Sequence, residues 1–188
     1  MNKPVHSPEP DDGDEVVERA RHGDTAAFTQ LVESYQQLLA GYLWRLTGGS
    51  DVAADLTQET FVRAWRALPD SRPGLHIRAW LFRIATNLAR DHFRRRERVR
   101  WLPLETIESI GVDAMPVPTD DRDPCWLTLA RLRPRERSIL LLCALEGLSY
   151  AEAADVLGVA PDAARKQFTR AKERFRRMYA LVEQPPDQ

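Results

Sequence analysis

At 188 residues, 43% hydrophobic and 29% charged, the chain can form one domain or two small ones, each with its own core. No run approaches 18 consecutive apolar residues, which excludes a membrane-spanning helix. The acidic, Pro-containing first 18 residues lack the apolar stretch of a signal peptide, so a cytoplasmic location is expected. The net charge of −1 conceals segregation: residues 1–18 and 105–123 each carry about −5, residues 76–101 about +6 and residues 161–178 about +5. Two basic segments separated by an acidic connector predict two contacts with one polyanion, although solvated helix faces would show the same charges.

In chain order, residues 1–20 read as a disordered acidic tail. The first helix is predicted to begin at Asp24, an N-cap candidate, and Phe28, Leu31, Val32, Tyr35, Leu38, Leu39, Tyr42, Leu43 and Leu46 keep a helical period as far as Gly48. A second helix starts at Ser50 or Asp51 with Val52, Leu56, Phe61, Trp65 and Leu68 facing inward. After a turn-rich break over 69–74, a third helix runs from about His76 to Arg96 on a stripe of Ile77, Trp80, Leu81, Ile84 and Leu88. These three helices predict a first domain over 21–101. Residues 102–124, with four prolines and many acids, predict a linker.

A second domain is expected over 125–182, followed by a short tail, 183–188. Pro134 fits the first turn of a helix that Gly147 ends. Ser149 and Glu152 form a capping box before a short helix stopped by Gly158, and Pro161 opens a last helix to about Leu181. The fold class is therefore all-α, with two small helical domains. Cys125 and Cys143 cannot make a disulfide framework, and Cys143 lies in an apolar run that predicts a buried reduced thiol. Four scattered histidines show no ligand spacing, and no phosphate-binding Gly-rich loop or nucleophile elbow occurs. No metal, cofactor or catalytic site is expected.

Residues 149–177 have the form of a helix-turn-helix. The last helix places Ala164, Phe168, Ala171, Phe175 and Met178 on one side and Arg165, Lys166, Thr169, Arg170 and Lys172 elsewhere, so cations stand where a recognition helix meets base edges and phosphates. On the third helix Arg83, Asn87, Arg90 and Arg94 recur at helical spacing opposite the core stripe. They suit a nucleic-acid face, or equally a solvated face with Asp91 paired to a neighbouring arginine.

The stretch Asp55-Leu56-Thr57-Gln58-Glu59-Thr60-Phe61-Val62-Arg63-Ala64-Trp65 resembles region 2.2 of extracytoplasmic-function sigma factors. Residues 80–87 with Asp91 and Arg94-Arg95-Arg96 resemble regions 2.3 and 2.4. Residues 132–137, 147–152, Gly158-Val159 and Arg170-Ala171-Lys172 resemble region 4. The resemblance covers about residues 20–180 in order. It implies a sigma factor that binds core RNA polymerase and promoter DNA, leaving an anti-sigma factor open as a third partner. Asp55, Gln58 and Glu59 match the surface that docks on the coiled coil of the largest polymerase subunit. Asp70, Ser71 and Arg72 match the loop that captures a base flipped from the minus-ten element, although Ser71 stands where an aromatic is common. Arg83, Asn87, Arg90 and Arg94 match the helix that reads and melts that element. Arg165, Lys166, Thr169 and Arg170 match the reader of the minus-thirty-five element. An ordinary helix-turn-helix regulator would explain residues 149–177 but not 55–65 or the Arg-rich third helix. A helical adaptor that binds only protein would use the basic helices as surface.

Overall fold

A computed structural model describes residues 10–99 and 124–183, and these are helical with no strand among them. Residues 102–123 of the expected connector, and residues 1–9 and 184–188 of the two expected tails, lie outside the described residues, and Pro124 opens a helix instead. Pro10–Arg21, read from composition as disordered tail, is helix α1, and it packs Val17 and Ala20, both almost fully buried, against the next helix. Acids at 14 and 15 precede basic Arg19 and Arg21 in its last turn, the polarity that the helix dipole favours. Averaging prolines and acids over the segment hid that gradient and the small apolar pair.

Helix α2 spans Thr25–Thr47, and Asp24 caps it as predicted, accepting from the backbone N–H of Ala26 at 2.9 Å and of Ala27 at 3.0 Å. The Ala27 bond, then Arg19, holds the Asp24 carboxyl below its usual range. Gly48 ends the helix at φ +86, a conformation that strains any residue bearing a Cβ. Helix α3 spans Ser50–Ala67 and α4 spans Ile77–Val99. Leu39, Tyr42, Leu43 and Leu46 of α2 are fully buried against Ala64 and Leu68 beside α3 and Leu81, Phe82 and Ala85 of α4. Each large side chain buried in this way contributes about 1.5–3 kcal/mol. Trp65 departs from its predicted inward position: it is 36% exposed and leans edge-on against Phe28 at 4.9 Å on the rim of an α2–α3 groove.

The second half comprises α5 (Pro124–Arg131), α6 (Pro134–Leu140), α7 (Tyr150–Leu157) and α8 (Pro161–Glu183). Pro134 sits in the first turn of α6, as expected, and the Glu136 carboxylate accepts from the Arg133 N–H at 3.1 Å. The predicted run to residue 145 continues but widens into a π-helical turn, Leu141–Leu145, closed by Glu146 N–H donating to the Leu141 carbonyl. The capping box is present: Ser149 N–H donates to Glu152 at 2.8 Å, and Glu152 N–H donates to the Ser149 hydroxyl at 3.2 Å. Gly158, at φ +67, turns the chain from α7 into α8.

The two halves pack together. Helix α4 lies against α7, Trp44 of α2 meets Trp126 of α5 edge-on at 5.1 Å, and the Arg45 guanidinium lies 5.5 Å over the same Trp126 ring.

Candidate nucleic-acid and protein interfaces

Helix α3 turns Ala53, Thr57, Thr60, Phe61 and Ala64 inward, with Leu56 half-buried beside them, which leaves a polar surface on its other side. Asp55 and Gln58 are exposed there, Gln58 next to Glu59 and Asp55 one turn before it, and the Glu59 carboxylate is held by Arg63 at 2.7 Å. Gln58 also lines the groove that Phe28, Val32, Phe61, Val62 and Trp65 make between α2 and α3. The three residues therefore share one helix surface beside an apolar groove, an arrangement suited to a partner helix with basic and apolar positions.

Between α3 and α4 the chain crosses a loop over residues 69–76. Asp70 and Arg72 are exposed, while Ser71 is half-buried and turned inward. The Ser71 hydroxyl donates to the Leu68 carbonyl at 2.6 Å, the Ser71 N–H donates to the same oxygen at 3.0 Å, and the Ser71 carbonyl accepts from Arg21 of α1 at 3.4 Å.

On α4, Arg83, Asn87 and Arg94 are exposed on the side away from Leu81, Phe82 and Leu88. Arg94 pairs with Asp91 within the helix. Arg90 differs: it is half-buried, it donates to the Leu157 carbonyl at the end of α7 at 3.1 Å, and desolvation draws its pKa down. The helix thus keeps three of its four polar candidates at the surface and gives the fourth to the other half of the chain.

On α8, Arg165, Lys166, Thr169 and Arg170 are all exposed, and Ala164 and Ala171 are fully buried. Thr169 donates its hydroxyl to the Arg165 carbonyl at 3.1 Å, which leaves the oxygen lone pairs outward. The four residues form a cationic first half of a helix-turn-helix second helix, where base edges and phosphates are met. Arg174, further along, is drawn back onto Glu136 at 3.4 Å.

Three groups that sequence reasoning missed lie between the halves. Arg78 donates to the Glu146 carbonyl, and the buried Glu146 carboxyl is pushed up by desolvation against the opposing pull of Arg45 and Arg78. Arg137 is 8% exposed and donates to carbonyls from both halves. Local spacing carries no signal for the contacts they make between the halves, since Arg78 and Glu146 are 68 positions apart and Arg137 and Leu46 are 91 apart. Cys143 is half-buried with its thiol pushed up to about 11 by desolvation, then by Glu152, so it stays a thiol rather than a thiolate near neutrality. Among the described residues no cluster of three or more His, Cys, Asp or Glu could hold a metal ion, and no helix is long and apolar enough to cross a membrane.

This architecture has known counterparts. The family model described as Sigma-70 region 2 matches residues 31–99, and that described as Sigma-70, region 4 matches residues 126–175. The ECF RNA polymerase sigma factor SigE of Mycolicibacterium smegmatis is 34% identical over 82% of this chain and 63% of its own length. The RNA polymerase sigma factor CarQ of Myxococcus xanthus is 31% identical over 89% of this chain and 97% of its own. CnrH of Cupriavidus metallidurans, solved in complex with the cytosolic domain of CnrY, superposes with a TM-score of 0.67 at 31% identity, covering 91% of this chain and 97% of that one. The sigma factor RpoE of Bartonella quintana, solved with the anti-sigma factor NepR, gives a TM-score of 0.68 at 26% identity over 82% and 97%. The chain spans less than two thirds of SigE but nearly the whole of CarQ.

Proposed function

The chain belongs to the sigma-70 family, in its extracytoplasmic-function branch, and from that membership we propose that it binds core RNA polymerase, directs it to specific promoters and helps melt the DNA there. The observation that carries this reading is the order of parts. An exposed α3 surface with an apolar groove precedes two separate basic helices, and the two family regions fall on the two halves in the same order. We assign residues 21–101, extended by α1, to polymerase docking and the minus-ten element, and residues 125–182 to the minus-thirty-five element.

Asp55, Gln58 and Glu59 dock on the polymerase. Arg165, Lys166, Thr169 and Arg170 read the duplex, where guanidinium and ammonium groups suit guanine acceptors and phosphate. Arg83, Asn87, Arg90 and Arg94, with the loop carrying Asp70, Ser71 and Arg72, act where the strands separate. A base held in a protein pocket is unstacked, so recognising it and opening the duplex are one act. The chemistry is the polymerase's, and the chain adds specificity rather than catalysis. Action with polymerase places it in the cytoplasm, and the RpoE complex supports an anti-sigma factor as a further partner.

Run-off transcription with core polymerase tests the reading. Addition of this chain is expected to give promoter-specific transcripts that core alone does not produce. The double variant Gln58→Ala/Glu59→Arg is expected to weaken core binding at least tenfold, with unchanged helicity, because both side chains stand off the core. Promoter DNA binding with no transcript and no core affinity would instead identify an ordinary helix-turn-helix regulator.

A further inference from the structure

We propose that α1 is part of the minus-ten apparatus: Arg21 is a positioning residue that, acting through Ser71, sets the loop presenting Asp70 and Arg72 to the opened strand. The proposal rests on the reading of that loop as a base-capturing element and adds a residue, and a helix, outside it.

The loop has little to hold it. Leu68 before it is fully buried and Ile77 after it nearly so, while residues between them are exposed apart from half-buried Ser71 and Leu75. Ordering a residue's backbone costs about 1–2 kcal/mol, so a presenting loop of this length needs tethers. Ser71 is tethered at all three of its polar groups: N–H and hydroxyl to Leu68, carbonyl to Arg21. Because peptide units are planar, fixing the N–H and the carbonyl of Ser71 fixes the two planes that flank its Cα. The side chains of Asp70 and Arg72 spring from the far ends of those planes, so their directions are set by a residue that does not itself face solvent. The Ser71 hydroxyl hydrogen is already committed to Leu68, which makes Ser71 the pin and its neighbours the contacts.

Arg21 is built for the outer tether. Its side chain is only 18% exposed, and its Nε donates to Glu18 at 2.9 Å, one turn back. That bond aims the other end of the guanidinium at Ser71, fifty positions along the chain. Val17 and Ala20, 2% and 1% exposed, lock the helix that carries it. A planar fork can serve Glu18 and Ser71 together, which a lysine ammonium at the same reach does less well.

The test uses full-length chain in holoenzyme and a labelled single-stranded DNA selected by the wild-type holoenzyme from a randomised pool. The same strand with an abasic site at each selected base serves as comparison. Arg21→Ala is expected to lose about tenfold in affinity for the intact strand, with affinity for core polymerase and for the abasic strand of the captured position unchanged. Discrimination at that one position then collapses. Asp70→Ala is expected to do the same, the double variant to lose no more than either, and Arg21→Lys to recover part of the loss. If Arg21→Ala discriminates like wild type while Asp70→Ala does not, the positioning role is overturned. Equal loss on intact and abasic strands, with a lowered melting temperature, would overturn it too, since that is what general loosening of α1 produces. If Asp70→Ala and Arg72→Ala also keep full discrimination, it is the reading of the loop that falls.

Discussion

Arg137 shows what one buried cation does without a carboxylate among its acceptors. Its guanidinium donates to the carbonyls of Leu129 at 2.9 Å, Leu132 at 3.2 Å and Ala130, around the end of α5, and to that of Leu46 at 2.8 Å, in the last turn of α2. Carbonyls in a last helical turn have no partner within the helix and carry the negative end of its dipole. Arg137 satisfies two such ends at once, with a donor geometry of five N–H groups that lysine lacks. Burial lowers its pKa, but a guanidinium starts so far above neutrality that it stays charged. Arg137→Met, which keeps much of the volume, should leave these carbonyls short of donors and cost about 3 kcal/mol in urea unfolding. A loss below about 1 kcal/mol would mean that water replaces the guanidinium without penalty.

The helix-turn-helix contrasts two starts. Helix α7 has its reciprocal Ser149–Glu152 box, and the hydrogen bonds to Ser149 hold the Glu152 carboxyl below its ordinary range despite partial burial. At the start of α8 the Ala160 carbonyl accepts from Ala164 at 3.0 Å, which places Ala160 at the cap with no side-chain acceptor to offer, although Pro161 favours the first turn. Ser149→Ala should therefore destabilise the second half by about 1 kcal/mol, and Ala160→Ser should stabilise it by about as much. Thermal melting of both variants checks the signs, and a neutral Ala160→Ser would show that Pro161 and the Gly158 turn already hold the start of α8. Helix α1 is the element that composition misjudged. Its apolar contribution is Val16, Val17 and Ala20, too little to stand out over twelve residues, and it folds because α2 offers a surface that covers them.

Among the described residues, the arginines that cross between the halves end on main-chain acceptors rather than in ion pairs. Arg78 reaches the Glu146 carbonyl, Arg90 that of Leu157, and Arg137 that of Leu46. Within the first half, the fully buried Tyr42 hydroxyl bonds Thr86 at 2.8 Å and is pushed up to about 12 by desolvation. Glu146 makes the packing sensitive to pH. Burial raises its folded pKa above the usual carboxylate range, with Arg45 of α2 and Arg78 of α4 opposing, so the folded chain holds this proton to higher pH than the unfolded chain does. Its contribution is then fully present below the ordinary glutamate pKa and is lost as pH rises through the folded value. Glu146→Gln, which stays neutral, should match wild type below the ordinary glutamate pKa and exceed it in melting temperature by a margin that grows as pH rises from that value through the folded one. A margin independent of pH would show that the carboxyl titrates alike in the folded and unfolded chains.

Local chemistry determined much of this protein directly. The Asp24 cap, the Ser149–Glu152 box, the stops at Gly48 and Gly158 and the apolar periods of α2 and α4 are interactions within a few residues, and each reads off the chain. So does the clustering of cations on α4 and α8. What the pattern could not decide is which of those cations are free. Arg83 and Arg165 stay at the surface, while Arg90 and Arg78 end on carbonyls 67 and 68 positions away and Arg137 on one 91 positions away. Every residue carries the same carbonyl, so no side-chain spacing marks it as an acceptor. Only the packing of α4 on α7, and of α2 on α6, selects the ones that an arginine meets.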